Sequence, residues 1–207
     1  MLRKFDSPVY NALTRVCDIV ILNALWTICS IPLITMGAAT SALYYSMLKI
    51  CRETDSSMTG MFFHSFRQNL RQGCGLTILF GASGLLLYVD IQLCQLINGM
   101  PGKALLALMI ALLIVWGMIF SYTFPVLAQF DNTIAGILKN AFFMSIDHMG
   151  KTIIILLVNA IIPVMFFVVP QLFFVSIPIW LLGGIAVITF INTKLLTKIF
   201  DRYIENN

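Results

Sequence analysis

The sequence predicts an all-α fold, a polytopic bundle of transmembrane helices that forms a single membrane domain over residues 1–207. Hydrophobic residues make up 59% of the chain and charged residues only 11%, whereas a soluble domain carries roughly 25% charged residues. The apolar residues gather in long runs, and most basic residues lie in the short connections between them. We therefore expect the lipid bilayer, rather than water, to surround these helices.

Six apolar runs divide the chain. The third, fourth and sixth exceed the roughly 20 residues that a helix needs to cross the hydrocarbon core, and the fifth nearly does. The first and second are short, so they form either two tilted crossings or a re-entrant hairpin. The runs are residues 19–33, 38–50, 74–97, 104–128, 152–169 and 172–196.

Proline and glycine mark the boundaries between these runs. Pro32 and Gly37 separate the first run from the second. The turn cluster at residues 98–102 ends the third run, and Pro170 and Pro178 mark the break between the last two. Each of these boundaries predicts the end of a helix.

The connections before the third and fifth runs have helical periodicity, with an apolar and a polar face. This pattern predicts interfacial amphipathic helices. A third helix of this kind begins at Ser7-Pro8, a favourable N-cap and first-turn pair. The candidate surface for lipid or a membrane partner consists of Phe62, Phe66, Arg67, Arg71 and Phe142.

The same connections suggest an internal repeat. The string Phe62-Phe63-His64-Ser65-Phe66 resembles Phe142-Phe143-Met144-Ser145-Ile146, and a basic residue follows each string in the same register. The unit would be an amphipathic helix followed by a helical hairpin. It would occur three times, in residues 1–52, 56–130 and 133–200. Transporters often contain such repeats, and so do membrane proteins that transport nothing.

The distribution of positive charge predicts the orientation, because basic connections stay in the cytoplasm. With six crossings and a cytoplasmic N-terminus, Lys103 is the one basic residue outside. Five crossings would also place Arg3, Lys4 and Arg15 outside, so the charges favour six. We expect a multi-pass protein of the cell membrane with both termini in the cytoplasm. A cleaved signal peptide is disfavoured, because the region before the first run is long and contains Asp6.

Asp90 is the strongest candidate for a functional polar residue. It lies within the third run, about 12 Å by helical rise from the turn at residue 98, and acidic residues inside spans are costly and often functional. Gln92, Asn23 and Asn159 complete a candidate polar site for a solute or ion. The alternative interpretation places Asp90 at the outer interface near Lys103 and gives the asparagines interhelical hydrogen bonds.

Several classes of function find no support. The chain contains no P-loop, zinc-protease or serine-hydrolase motif. Its five cysteines form no C-x-x-C pair. We therefore expect no enzyme activity, catalytic residues, metal or cofactor. The basic residues are scattered over short connections, so we do not expect nucleic acid as a partner. The sequence does not set the oligomeric state.

Three groups of residues, in order along nearly the whole chain, resemble one family. They are Asn23-Ala24-Leu25-Trp26 with the string at 31–37, then 62–69, then 124–130 with 138–141. On these residues the chain resembles the YesL-like proteins, bacterial membrane proteins of unknown function. The genes of that family often lie near carbohydrate ABC importers, and the resemblance carries over no catalytic residues.

The resemblance implies an accessory or permease-like component linked to carbohydrate uptake, with subunits of an ABC sugar importer as partners. However, the chain lacks the E-A-A-x-x-x-G loop through which an ABC permease contacts its ATPase, and Ala135-Gly136 is a poor substitute. The alternative hypothesis is a non-transport regulator or assembly factor that binds another membrane protein. The scarcity of polar residues within the spans fits this alternative.

Overall fold

The computed structural model describes residues 8–52 and 57–205, with side chains described for 13–52 and 57–203. Every regular element in these ranges is helical, so the all-α prediction is confirmed. The predicted cap Ser7 and the basic residues Arg3 and Lys4 lie outside the described residues.

The helices follow one another with short connections. They are α1 (Pro8–Cys29), α2 (Met36–Cys51), α3 (Met58–Leu96), α4 (Met100–Gln129), α5 (Ile134–Asp147), α6 (Met149–Val168), α7 (Pro170–Ile179) and α8 (Ile185–Glu205). A 3-10 turn, Leu33–Thr35, joins α1 to α2, and a π-helical segment, Trp180–Gly184, joins α7 to α8.

Local sequence explains where α4 and α5 begin. Gly99 adopts a φ of 91°, which glycine reaches without a steric penalty, and Pro101 then occupies the first turn of α4. At the other end, Thr133 caps α5 because its hydroxyl accepts a hydrogen bond from the amide of Gly136 at 3.2 Å. The turn residues thus fix where each hairpin reverses.

Four helical segments within the described residues are long and apolar enough to cross a membrane. They are Met58–Leu96, Met100–Gln129, Met149–Val168 and Pro170–Tyr203. The half of the α3–α4 hairpin that contains its turn exposes many large apolar side chains, such as Leu85, Leu86 and Leu96, which are 64%, 65% and 76% exposed. The fold is therefore that of a multi-pass membrane protein.

Three predicted boundaries differ from the structure. The interfacial helix predicted to begin at Ser7-Pro8 is not separate from the first apolar run, because α1 continues from Pro8 to Cys29. The amphipathic segment before the third run is not a separate interfacial helix, because α3 continues without a break from Met58 to Leu96. The signals for a break between the polar and apolar parts of α3 are Gly73 and Gly75. Because glycine is tolerated inside a helix, they do not end it. The sixth run, predicted as one helix, is divided by the π-helical segment at Trp180–Gly184, where Gly183 departs from helical geometry.

Helices α1 and α2 pack antiparallel, and so do α3 and α4. Trp26 of α1 donates to Thr40 of α2 at 3.1 Å, close to the turn between these helices. Phe80 of α3 packs against Trp116 and Phe120 of α4 at ring-centroid distances of 5.6 and 5.3 Å. Helices α2, α4 and α8 share one direction, and their C-terminal ends lie together at one end of the bundle. This follows because Arg52, just after α2, contacts Gln129 at the end of α4 and Asp201 near the end of α8.

The α1–α2 hairpin is shorter than the α3–α4 hairpin. Its turn reaches only the middle of α3, where the amide of Gly37 donates to the hydroxyl of Thr77 at 2.9 Å. From Thr77, α3 continues to Leu96, which is roughly 29 Å at 1.5 Å per residue. The two hairpins therefore end at very different depths, as expected if the first pair of runs forms a shorter structure.

Small residues let α2 approach α3 closely. A Cβ atom added at Gly73 would lie 2.6 Å from the backbone nitrogen of Ala38. Ala38, Ala39 and Ala42 are fully buried. Such a close approach is typical of packed membrane helices.

Candidate functional site

The four residues of the predicted polar site do not form one site. Asp90 and Gln92 lie on exposed positions near the far end of α3, about 20 Å by helical rise beyond Thr77. Asn23 is fully buried and Asn159 is half-buried. The structure therefore separates Asp90 and Gln92 from the two asparagines and places Asp90 near the end of α3 that leads into the α3–α4 turn.

Asn23 binds the backbone where the last predicted span is interrupted. Its amide nitrogen donates to the carbonyl oxygens of Trp180 at 3.0 Å and Leu181 at 2.7 Å. Its amide oxygen accepts from the backbone nitrogen of Ala186 at 3.0 Å. Buried backbone groups that lose their helical partners are costly in hydrocarbon. Asn23 thus stabilises the π-helical break by satisfying three of them.

A chain of buried polar side chains crosses the bundle deeper in its core. Asn192 of α8 donates to the Tyr44 hydroxyl at 3.3 Å and to the side-chain oxygen of Asn159 at 2.7 Å. Asn159 of α6 in turn donates to the Ser121 hydroxyl at 3.0 Å. The chain therefore links α2, α8, α6 and α4. It confirms the interpretation that Asn159 makes interhelical hydrogen bonds.

The predicted partner surface is only partly exposed. Phe62 is fully buried, because the apolar face of the first part of α3 packs against α1 and α2 rather than against lipid. Phe66 and Phe142 are half-buried, whereas Arg67 and Arg71 are exposed. Phe62 is therefore a core residue, and the arginines remain as the accessible part of this surface.

Positive charge is concentrated at the end of the bundle where α2, α4 and α8 terminate. The helix ends and connections grouped there carry Arg15, Lys49, Arg52, Arg67, Arg71, Lys139, Lys151, Lys194, Lys198 and Arg202. Lys103, at the start of α4, lies at the opposite end. We call the end that carries these ten basic residues the basic end. The antiparallel α1–α2 pair returns Arg15 to this end, so the side chains of all described basic residues except Lys103 are grouped there.

Arg52 connects the ends of three helices at the basic end. Its guanidinium donates to the carboxylate of Asp201 at 2.7 Å and to the side-chain oxygen of Gln129 at 3.2 Å. Arg52 follows α2, Gln129 ends α4, and Asp201 lies in the last turns of α8. The fork of the guanidinium suits two acceptors at once, so a single side chain holds the three ends together.

One pocket at the basic end has a volume of about 310 Å³ and is lined by Asp147, His148, Arg202 and Tyr203. The Tyr203 hydroxyl donates to the Asp147 carboxylate at 2.7 Å. His148 forms the kink between α5 and α6. Nearby, the Thr152 hydroxyl donates to the carbonyl of Ser145 at 2.7 Å and thereby fixes this kink.

A second pocket, of about 210 Å³, lies between α1, α2 and α8. Its lining residues are Arg15, Ile50, Cys51, Phe190, Lys194, Thr197 and Lys198. Burial raises the pKa of the Cys51 thiol, while the charges of Lys194, Arg15 and Arg52 act in the opposite direction. The pocket therefore combines an apolar floor with a rim of three cationic side chains.

Sequence reasoning identified Asn23 and Asn159 but missed Tyr44, Arg52 and the pocket residues. A tyrosine in an apolar run carries no signal of its partner, and the partners of Arg52 lie 77 and 149 residues away in the sequence. Within the described residues, no three histidine, cysteine or acidic side chains lie together as a metal site would require.

These features define the chain as a multi-pass helical membrane protein with a polar core that joins its helices and a strongly basic end. Its sequence matches the family model described as a protein of unknown function, DUF624, over residues 19–91. It is also 26% identical over 206 residues to the uncharacterized protein YesL of Bacillus subtilis (strain 168), covering 93% of this chain and 91% of that protein. The predicted resemblance to YesL-like proteins is confirmed. No solved structure matches the chain.

Proposed function

We propose that the chain is a non-enzymatic accessory component of the cell membrane that binds a membrane partner through its basic end. The main support for an accessory role is that the polar side chains in the core bind to one another. Asn192, Asn159 and Ser121 bond to one another across helices and serve to hold the bundle together. Polar groups that bind a transported solute would instead converge on an open cavity. An accessory role therefore fits the core better than a transport pathway does.

The proposed topology places the basic end in the cytoplasm. Ten described basic residues lie at that end and one at the other, and cytoplasmic connections are the ones enriched in lysine and arginine. Both termini then lie in the cytoplasm. Four helical segments cross completely, and the α1–α2 hairpin enters from the cytoplasmic side.

The proposed partner is a component of a carbohydrate importer. This part of the proposal is supported by the resemblance to YesL-like proteins, whose genes often lie near carbohydrate ABC importers. The exposed arginines on α3, Arg67 and Arg71, give the basic end a surface that a cytoplasmic or juxtamembrane acidic segment would recognise by charge. A regulator of another membrane protein would use the same surface.

The partner proposal is tested by crosslinking in living cells. A photoreactive amino acid at Arg67 should trap a discrete protein, while the same group at Leu113, a lipid-exposed position on α4, serves as the matched control. Recovery of importer subunits from the Arg67 position alone supports the proposal. Recovery of another membrane protein supports the regulator alternative, and lipid adducts alone at both positions contradict both forms.

One observation favours a permease-like function as the second candidate. The last span is broken at Trp180–Gly184, and broken helices often border the binding sites of transporters. Purified protein in sealed liposomes provides the test. Saturable uptake of a labelled sugar, lost in Asn23→Ala, would favour a permease. Uptake equal to that of empty liposomes would favour the accessory role.

A further inference from the structure

We propose that the pocket between α1, α2 and α8 binds the phosphate group of an anionic membrane lipid. The pocket combines three cationic side chains with a hydroxyl group. Arg15, Lys194 and Lys198 supply the charges, and Thr197 supplies the hydroxyl. None of its lining residues is acidic. This composition attracts a phosphate by charge and offers it hydrogen-bond donors.

The neighbouring ion pair does not extend to the two lysines of the pocket. Arg52, which follows the pocket residue Cys51, already binds Asp201 and Gln129. The Asp201 carboxylate is therefore committed to Arg52. Lys194 lies over the ring of Phe190 at 4.7 Å, a contact that orients the ammonium group without neutralising it.

The outer face of α8 indicates a lipid rather than a soluble phosphate compound. Val187, Ile191, Lys194 and Lys198 follow at helical spacing on one face. The two apolar residues are 46% and 42% exposed. They lie toward the membrane, and the two lysines lie toward the basic end. This order matches the order of acyl chain and headgroup in a lipid beside the helix.

The other side of the pocket is also suited to a lipid. On α1, Val16 and Val20 are 56% and 43% exposed, and both are within about a turn and a half of Arg15. Ile50 and Phe190 provide the apolar floor. An acyl chain can therefore run along an apolar surface between α1 and α8 while its phosphate contacts the cationic rim.

The inference is tested on the full-length protein by measuring lipid binding in detergent with native mass spectrometry. The probe is dioleoyl-phosphatidylglycerol, with dioleoyl-phosphatidylcholine as the zwitterionic comparison. Each basic residue near an anionic lipid contributes roughly a fivefold factor in binding. The double variant Lys194→Gln/Lys198→Gln should therefore bind phosphatidylglycerol about 25-fold more weakly than the parent protein.

The matched control removes the same charge from the same end of the bundle. Arg67→Gln/Arg71→Gln lies on the exposed face of α3, away from the pocket, and should lose far less affinity. Equal losses in the two double variants would overturn the proposal, because they would indicate general attraction to the basic end. A circular-dichroism melt of both variants establishes that each remains folded.

A further measurement separates a lipid from a free phosphate compound. Glycerol 3-phosphate, added at millimolar concentration, should leave the bound phosphatidylglycerol in place, because it lacks the acyl chains that contact α1 and α8. Displacement of the lipid at that concentration would overturn the lipid assignment and assign the pocket to a soluble phosphate compound. Preference for phosphatidylcholine over phosphatidylglycerol would contradict the role of the cationic rim.

Discussion

The guanidinium of Arg52 lies 2.7 Å from the carboxylate of Asp201, although 149 residues separate them in the sequence. The pair joins the end of α2 to the end of α8, and the bond from Arg52 to Gln129 adds the end of α4. Because α2, α4 and α8 share one direction, this junction sets the relative heights of three helices. It also fixes Cys51 and the neighbouring pocket.

Replacement of Arg52 by glutamine should lower stability modestly. The side chains of Arg52 and Asp201 are 28% and 48% exposed, so solvent screens the pair and its contribution is about 1 kcal/mol or less. Thermal unfolding of the purified protein in detergent should show a reduced melting temperature for Arg52→Gln. Asp201→Asn should behave similarly, and the double variant should lose little more than either single one.

Lys49→Gln is the control for the Arg52 and Asp201 variants. Lys49 also lies near the end of α2, but its described contact is with the ring of Tyr45 at 5.4 Å. Its loss should therefore leave the ends of the three helices joined. Additive losses for Arg52→Gln and Asp201→Asn would show that the two side chains do not stabilise the protein through each other.

Asn192 should contribute more to stability than Thr193, the buried polar residue that follows it on α8. Its side chain donates to Asn159 and to Tyr44 on two other helices, and interhelical hydrogen bonds in membranes contribute about 0.6–1.7 kcal/mol. Asn192→Leu should therefore reduce the free energy of unfolding by about 1–2 kcal/mol in a detergent titration. Asn159→Leu should act through the same bond.

Thr193→Val is the matched control, because it also replaces a buried polar side chain by an apolar one of similar volume. The Thr193 hydroxyl donates to the carbonyl of Thr189 in its own helix at 2.7 Å, so its loss does not separate helices. An equal effect of Asn192→Leu and Thr193→Val would contradict a bundle held together by the polar chain.

The contact between α2 and α3 should not tolerate a side chain at Gly73. An added Cβ atom would lie 2.6 Å from the Ala38 nitrogen and 2.7 Å from its Cα atom. Backbone atoms cannot move aside like the end of a flexible side chain. Gly73→Ala should therefore cost about 1–3 kcal/mol, as overpacking does in close-packed interiors. Thermal unfolding of the variant in detergent provides the measurement.

Gly81→Ala tests the same chemical change in the same helix without the contact, since nothing lies within 4 Å of a Cβ atom there. Its stability should be unchanged or slightly higher, because alanine favours the helix over glycine. If both variants melted at the same temperature, close packing at Gly73 would not limit the fold.

The sequence predicted those features that depend on local composition. Hydropathy identified the long runs that became α3, α4 and α6, and the turn chemistry at Gly99 and Pro101 located a hairpin. The asparagines at positions 23 and 159 were recognised because a polar side chain in an apolar run needs a partner. Periodicity also found both faces of the first part of α3.

The remaining features depend on which helix faces pack against one another, and the sequence carries little information about helix packing. The apolar face that contains Phe62 would suit lipid or protein equally well, and the structure buries it against α1 and α2. The partners of Arg52 lie on other helices far along the chain. Likewise Asp90 stood out because of its charge, but its exposed position became evident only from the depth of the α3–α4 hairpin.

The depth of the α1–α2 hairpin leads to a prediction about its turn. The turn lies beside Thr77, and roughly 29 Å of α3 extends beyond that point, which is close to the thickness of the hydrocarbon core. A hairpin that ends there cannot reach the far surface of a bilayer that the α3–α4 hairpin crosses. Leu33, which is 75% exposed in the protein, should therefore be inaccessible from the far side of the bilayer.

Cysteine labelling in intact cells tests this depth. In a variant without its native cysteines, Leu33→Cys should not react with a membrane-impermeant maleimide added outside. Met100→Cys, in the α3–α4 turn and 83% exposed, should react rapidly. Labelling of both positions at similar rates would mean that α1 and α2 cross completely, which would raise the number of crossings to six. Protection at position 33 with labelling at position 100 would instead establish four crossings and an α1–α2 turn that does not reach the outer surface, because both residues are exposed in the protein and only the bilayer distinguishes them.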